Sequence, residues 1–160
     1  MDKYFGSGQD CVLGNAALTG LSGAATTFST SAVPVSLRGK AKTFAAIAGG
    51  ATPTTDANTG VAFLPQAAST GCIYLWLTDG SATIKLAQGT IVALDLQNNF
   101  TWFVSQFPAV PEGFIPFAYS VVKNSSTGTS WTIGTSNWNQ AGITVSVANL
   151  MELPDRSQAS

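Results

Sequence analysis

Histidine is absent from the 160 residues. Its absence removes Ser-His-Asp and Cys-His catalysis, His-ligated zinc and the proximal ligand of haem. Charge is scarce as well: 7 basic and 8 acidic residues leave a net charge of −1, and charged side chains make up 9% of the chain, against about 25% in an ordinary globular domain. Seven cations offset by eight anions cannot supply a multi-phosphate footprint, so a nucleic-acid partner is disfavoured. The two cysteines, Cys11 and Cys72, are too few for a disulfide scaffold. One bridge between them is open; two separate buried thiols is the simpler reading, because free cysteine packs as a small hydrophobe. Residues 72–77 form the longest dense apolar run, far short of a membrane span, so no membrane partner is expected. No apolar stretch follows Met1-Asp2-Lys3-Tyr4-Phe5-Gly6, which is therefore not read as a signal peptide. These features point to a soluble chain made in a reducing cytosol. P-loop, GxGxxG, CxxC, GxSxG and EF-hand spacings are missing, and no cofactor is expected.

What is present is apolar and aromatic. Hydrophobic residues reach 45% and aromatics 10%, which rules out disorder for most of the chain. A chain of this length buries about two-thirds of its unfolded surface, enough for one core or at most two small ones. Sixteen glycines, seven prolines and abundant Ser and Thr disfavour helix interiors. Short β-branched and aromatic runs split by Gly, Asn, Ser and Pro recur throughout. The pattern predicts an all-β fold: a compact antiparallel β-sandwich or barrel of short strands with an extended N-terminal arm. No repeat period suggests a solenoid or propeller. The expected organisation is an arm over 1–20, one all-β domain over 21–153 and a polar tail over 154–160.

The strongest local signal lies between Cys72 and Leu86. Asp79-Gly80 reads as a two-residue hairpin turn. That turn would set Leu77 against Ala82, Leu75 against Ile84 and Ile73 against Leu86, making one face wholly aliphatic. The other face would pair Trp76 with Thr83 and Tyr74 with Lys85. A loop or second sheet of the same subunit could cover this aromatic face. Alternatively, Tyr74, Trp76 and Lys85 form an oligomer interface, where Trp and Tyr are enriched.

Further strands are expected over 26–30, 32–37, 90–96, 100–104 and 117–123, with a return at 131–133. Residues 97–99 and 124–128 read as turns, 45–58 as a loop, and 107–113 as a stiff link with two prolines. Residues 143–147 alternate apolar and hydroxyl side chains, as a half-buried strand does.

Signals for chemistry are weak. Asp95 and Glu112 are the remaining carboxylate pair for glycoside hydrolysis, and nothing in their local sequence recommends them. Asn99-Phe-Thr101 and Asn124-Ser-Ser126 fit the glycosylation sequon and, without a leader, are read as chance matches. Arg38, Lys40 and Lys42 cluster within five residues; they suit a solvated loop or a docking contact for an acidic protein surface. Trp102, Trp131 and Trp138 could stack on sugars if exposed, and belong to the core otherwise. A near-neutral, charge-poor surface favours association.

The segment from Phe107-Pro-Ala-Val-Pro111-Glu-Gly113 through Phe117-Ala-Tyr119, then Thr132-Ile-Gly-Thr135, Trp138-Asn-Gln-Ala-Gly-Ile-Thr144 and Leu150-Met-Glu-Leu-Pro-Asp-Arg156, resembles small virion proteins of tailed bacteriophages. Leu64-Pro-Gln-Ala with the Asp79-Gly80 hairpin fits the same pattern. So does Tyr4-Phe5-Gly6-Ser-Gly8-Gln-Asp10, although Cys11 stands where a glycine usually follows. The resemblance covers roughly residues 60–156 and rests on turn and link signatures. It implies a non-enzymatic virion protein, assembled in the host cytoplasm. A capsid decoration protein fits best, since the chain is short and has no repetitive shaft. A tail, baseplate or fibre component binding a receptor or glycan is the other possibility. Such decoration proteins are commonly homotrimers docked on the major capsid protein or other virion proteins. Here Tyr74 and Trp76 would line the symmetry axis, while Tyr4, Phe5, Arg38, Lys40 and Lys42 would dock.

Overall fold

The computed structural model describes residues 10–100 and 107–150. Among them there is no helix, and every strand pairing is antiparallel. The fold is all-β, as the composition predicts. The strands are β1 (Cys11–Val12), β2 (Thr27–Thr30), β3 (Val33–Leu37), β4 (Lys40–Phe44), β5 (Ile47–Ala51), β6 (Thr70–Thr78), β7 (Ile84–Gln88), β8 (Val92–Ala93), β9 (Ile115–Asn124) and β10 (Ile143–Asn149).

A five-stranded sheet in the order β10-β9-β6-β7, with β8 pairing the start of β6, carries the architecture. Two small sheets, β1-β3-β4 and β2-β5, complete the set. The principal core unites Tyr74, Trp76, Leu86 and Phe117 of the large sheet with Val33, Val35 and Phe44 of the first small sheet and Phe28 of the second. The opposite face of the large sheet is also covered. Ile73, Leu75, Leu77, Tyr119 and Val121 form a second core there, against Phe107, Phe114 and Leu150. A strand buried on both faces must be apolar at nearly every position. This accounts for the unbroken run in β6, where every residue from Gly71 to Thr78 is buried.

Three expectations are corrected. Residues 11–20 are not an arm. Cys11 and Val12 pair with Ser36 and Val35 of β3, and Val12, Ala16 and Leu18 lie inside the principal core. Residues 47–51 form strand β5, although 45–58 reads as a loop; Gly50 pairs with Phe28 and lies so close to its ring that an added Cβ would stand 3.2 Å from it, which places a weakly strand-forming segment by tertiary contact. The β6–β7 register also differs from the predicted one. Thr78 stands opposite Ile84, Trp76 opposite Leu86 and Tyr74 opposite Gln88.

The cause of that difference lies in the turn. Asp79 accepts hydrogen bonds from both the amide and the hydroxyl of Ser81, and the Thr78 hydroxyl accepts from Gly80 N–H at 3.0 Å. These side-chain bonds spread the connection over 79–83. The pairing thus moves by three residues, an odd number that turns every β7 side chain to the other face. Burial tends to raise the Asp79 carboxyl pKa, but the Ser81 hydrogen bonds and nearby Lys42 outweigh it and hold it below the usual value.

The β3–β4 hairpin turns on Arg38 and Gly39, both at positive φ (50° and 72°), with Leu37 opposite Lys40. This is a two-residue turn. Asp10 accepts a hydrogen bond from Arg38 N–H and ties the start of the described chain to it. The turn predicted at 97–99 is present: Asp95 N–H donates to the Asn99 carbonyl and Asn98 has φ 59°. The strand expected over 100–104 lies outside the described residues beyond Phe100, as do 1–9 of the arm and the 154–160 tail.

Candidate functional site

The structure does not bring the sequence-predicted interface residues together on a surface. Tyr74 and Trp76 are each 0% exposed within a single chain. Phe28 packs on Trp76 with ring centroids 5.0 Å apart, and Trp76 Nε1 donates to the Ser120 hydroxyl at 3.0 Å. Phe63 and Trp131 close over Tyr74 at 5.9 and 6.4 Å. The Tyr74 hydroxyl accepts from the Gln66 and Gln88 side-chain amides, and burial drives its pKa upward. These rings are core and cannot meet a second copy. Lys85 lies on the other face, because of the register, and its Nζ sits 4.8 Å from the Phe114 ring centre.

The other aromatic and acidic candidates have equally local roles. Trp131 and Trp138 are buried against each other at 5.4 Å and donate their indole N–H groups to the carbonyls of Asn137 and Thr27. Neither can stack on a sugar; Trp102 lies outside the described residues. Asp95 accepts from the amides of Gln97 and Asn99, which hold its pKa down and commit it to its own turn. Glu112 pairs with Arg38 at 2.9 Å. Asn124 is wholly buried, with its amide donating to the Thr129 carbonyl at 2.7 Å, so its sequon is structural.

Of the predicted docking residues, Tyr4 and Phe5 lie outside the described residues. Arg38, Lys40 and Lys42 share the β3–β4 hairpin and are exposed. Two of them are engaged locally. Arg38 meets Glu112, a pair exposed enough to contribute at most about 1 kcal/mol. Lys42 donates to the Asp79 carbonyl at 3.2 Å.

Sequence reasoning missed the outer edge of the large sheet. In the β9–β10 ladder, Ser125 N–H bonds to Gly142 O and Leu150 N–H to Phe117 O. The intervening antiparallel register therefore aims the backbone groups of Thr144 and Ser146 at β9, and those of Ile143, Val145 and Val147 away from it. Ile143 N–H is met by the Gln140 carbonyl. The outward groups of Val145 and Val147 have no protein partner among the described residues. On this strand Ile143, Val145 and Ala148 are half-buried, and Thr144, Ser146, Val147 and Asn149 are exposed. The available signal was the charge pattern: no charged side chain occurs between Lys123 and Glu152.

At the head of this strand lies an open hollow of about 200 Å³, lined by Gln97, Asn98, Asn99, Lys123, Ser125 and Thr144. Its walls offer amides, hydroxyls and one ammonium, donors and acceptors suited to the hydroxyl groups of a single sugar ring. No group of three Cys, Asp or Glu side chains among the described residues is placed to hold a metal ion.

Both cysteines are free thiols. Cys72 is buried, and burial raises its pKa to about 12, with its sulfur near the Gly89 carbonyl at 3.3 Å. The thiolate is the reactive form, so Cys72 is inert in the folded chain. Titration with a disulfide reagent is expected to consume Cys11 alone under native conditions and both thiols in denaturant. Rapid modification of both under native conditions would contradict this placement.

Comparisons with protein-family models, with curated proteins and with solved structures returned no match to this chain.

Proposed function

We propose that the chain is a non-enzymatic structural protein of a tailed-bacteriophage virion, a capsid decoration protein that binds the head surface as an oligomer. The observation that carries this reading is β10, a strand without charge on which the outward backbone groups of Val145 and Val147 have no partner among the described residues. The charge-poor composition supports it, because such a surface gains little from remaining dispersed in water. The turn and link segments that resemble phage virion proteins support it independently. Lys40 and its hairpin neighbours remain the docking contact for an acidic surface of the major capsid protein. The three-fold packing implied by the resemblance has no aromatic seam to use, since Tyr74 and Trp76 are internal, so the oligomer contact moves to the sheet edge.

The hollow beside Lys123 favours a second reading, a tail, baseplate or fibre component that binds a receptor glycan. Electron microscopy with gold-labelled antibody, on particles purified from cells that produce the chain, separates the two. Label over the whole head is the expected result. Label confined to the tail selects the glycan reading, and particles without label overturn both.

A further inference from the structure

The sheet edges of this protein are not alike. β7 is closed by Asp56 and Ala57: Gln88 N–H donates to the Asp56 carboxylate at 2.9 Å, and Ala57 N–H to the Leu86 carbonyl at 2.7 Å. β4 carries Lys40 and Lys42, which would confront each other if two copies met there. β5 sets Ala48 and Gly49 against the single residue Ser29 of β2, a bulge that disrupts a straight edge. Among the described residues, β10 has none of these devices. It reads Ile-Thr-Val-Ser-Val-Ala-Asn, and its ladder with β9 has no register shift.

The open stretch runs from Ile143 to Val147. Beyond it, Asn149 accepts a hydrogen bond from Leu18 N–H at 2.8 Å, so the chain's own N-terminal segment crosses the lower end. The centre of the open stretch is Val145. A second copy laid antiparallel about a two-fold axis through Val145 would place Val145 against its own equivalent, Ile143 against the copy's Val147, and Thr144 against the copy's Ser146. Each position meets its own kind: aliphatic with aliphatic, hydroxyl with hydroxyl. Pairs of these types stabilise a two-stranded contact. The backbone geometry agrees. Val145 and its equivalent exchange both hydrogen bonds, and Val147 N–H reaches the copy's Ile143 carbonyl. Ile143 N–H needs no new partner, because Gln140 already satisfies it. Ile143 and Val145 lie at the rim of the principal core, so the pairing would continue that apolar row from one copy into the next.

We infer that β10 pairs with β10 of a second copy, joining the two large sheets into one continuous sheet across a two-fold axis at Val145. The inference rests on the reading of the chain as an assembled subunit, and it names the contact.

Sedimentation of the full chain tests it, using three variants. Val145→Pro removes only an outward N–H, so the β9 ladder and the circular dichroism should be retained. Thr144→Lys with Ser146→Lys sets like charges across the proposed axis, and Thr144→Asp with Ser146→Asp does the same with opposite sign. The wild type is expected at twice the 16.5 kDa monomer mass. Each variant alone is expected to sediment as a monomer, and an equal mixture of the lysine and aspartate variants should return to the dimer. A monomeric wild type at all concentrations, a proline variant that stays dimeric, or a mixture that stays monomeric would overturn the pairing. Loss of the pairing for a chain found on virions removes this contact and leaves the virion reading standing. A dimer absent from particles does the reverse.

Discussion

Trp76→Ala is expected to destabilise the domain by about 3–5 kcal/mol, the usual cost of removing a large aromatic side chain from a core. The ring is wholly enclosed, touches Phe28 and satisfies the Ser120 hydroxyl, so truncation leaves both a cavity and an orphaned polar group. Domains of this kind are stable by only about 5–15 kcal/mol in total. A loss of this size should lower the thermal midpoint by roughly 10 °C. The paired substitution Tyr74→Asp with Trp76→Asp is expected to abolish folding, because it places two carboxylates in a core with no cation to meet them. Thermal unfolding followed by circular dichroism checks both. A folded double variant would show that the aromatic face opens to the outside.

Gly134→Ala is the second large effect. Gly134 has φ 78°, and an added Cβ would collide with the Pro53 carbonyl oxygen and stand 3.2 Å from Thr54 Cα. Both neighbours are backbone, so neither can swing aside. The left-handed conformation alone costs an alanine about 1–2 kcal/mol, and forcing extra volume into a packed contact adds about 1–3 kcal/mol. Gly60→Ala is the matched control, with φ 71° and nothing within 4 Å of the new methyl. Urea unfolding should show a small loss for Gly60→Ala and a loss at least twice as large for Gly134→Ala. Equal losses would mean that the 131–138 loop does not rest on residues 53–54. That loop carries Trp131 and Trp138, so its displacement would also uncover Tyr74.

The strands legible in the sequence were those with a one-sided or unbroken pattern. β9 and β10 announced themselves through β-branched runs and alternation, and the turn at 97–99 through its Asn residues. β5 did not, because Ile-Ala-Gly-Gly-Ala has little strand preference and is held by Phe28. The Asp79-Gly80 connection was legible as a turn but not in its length. Its register depends on how Asp79 and Thr78 hydrogen-bond within the loop. The fate of Tyr74 and Trp76 was undetermined for a related reason: β6 is apolar on both sides, and the residues that cover it, Phe28, Phe63 and Trp131, are distant in the chain. The candidate site was half legible. The alternation of β10 shows in the letters, while its position as the outermost strand, with bonds aimed outward, is a property of sheet order alone.

Amide hydrogen exchange, measured residue by residue across a dilution series, tests most directly whether this outer strand is where copies meet. The amides of Val145 and Val147 should exchange quickly in dilute protein and slow as concentration rises, while those of Tyr74 and Trp76 stay protected throughout. Val145 and Val147 amides that exchange quickly at every concentration would contradict the account.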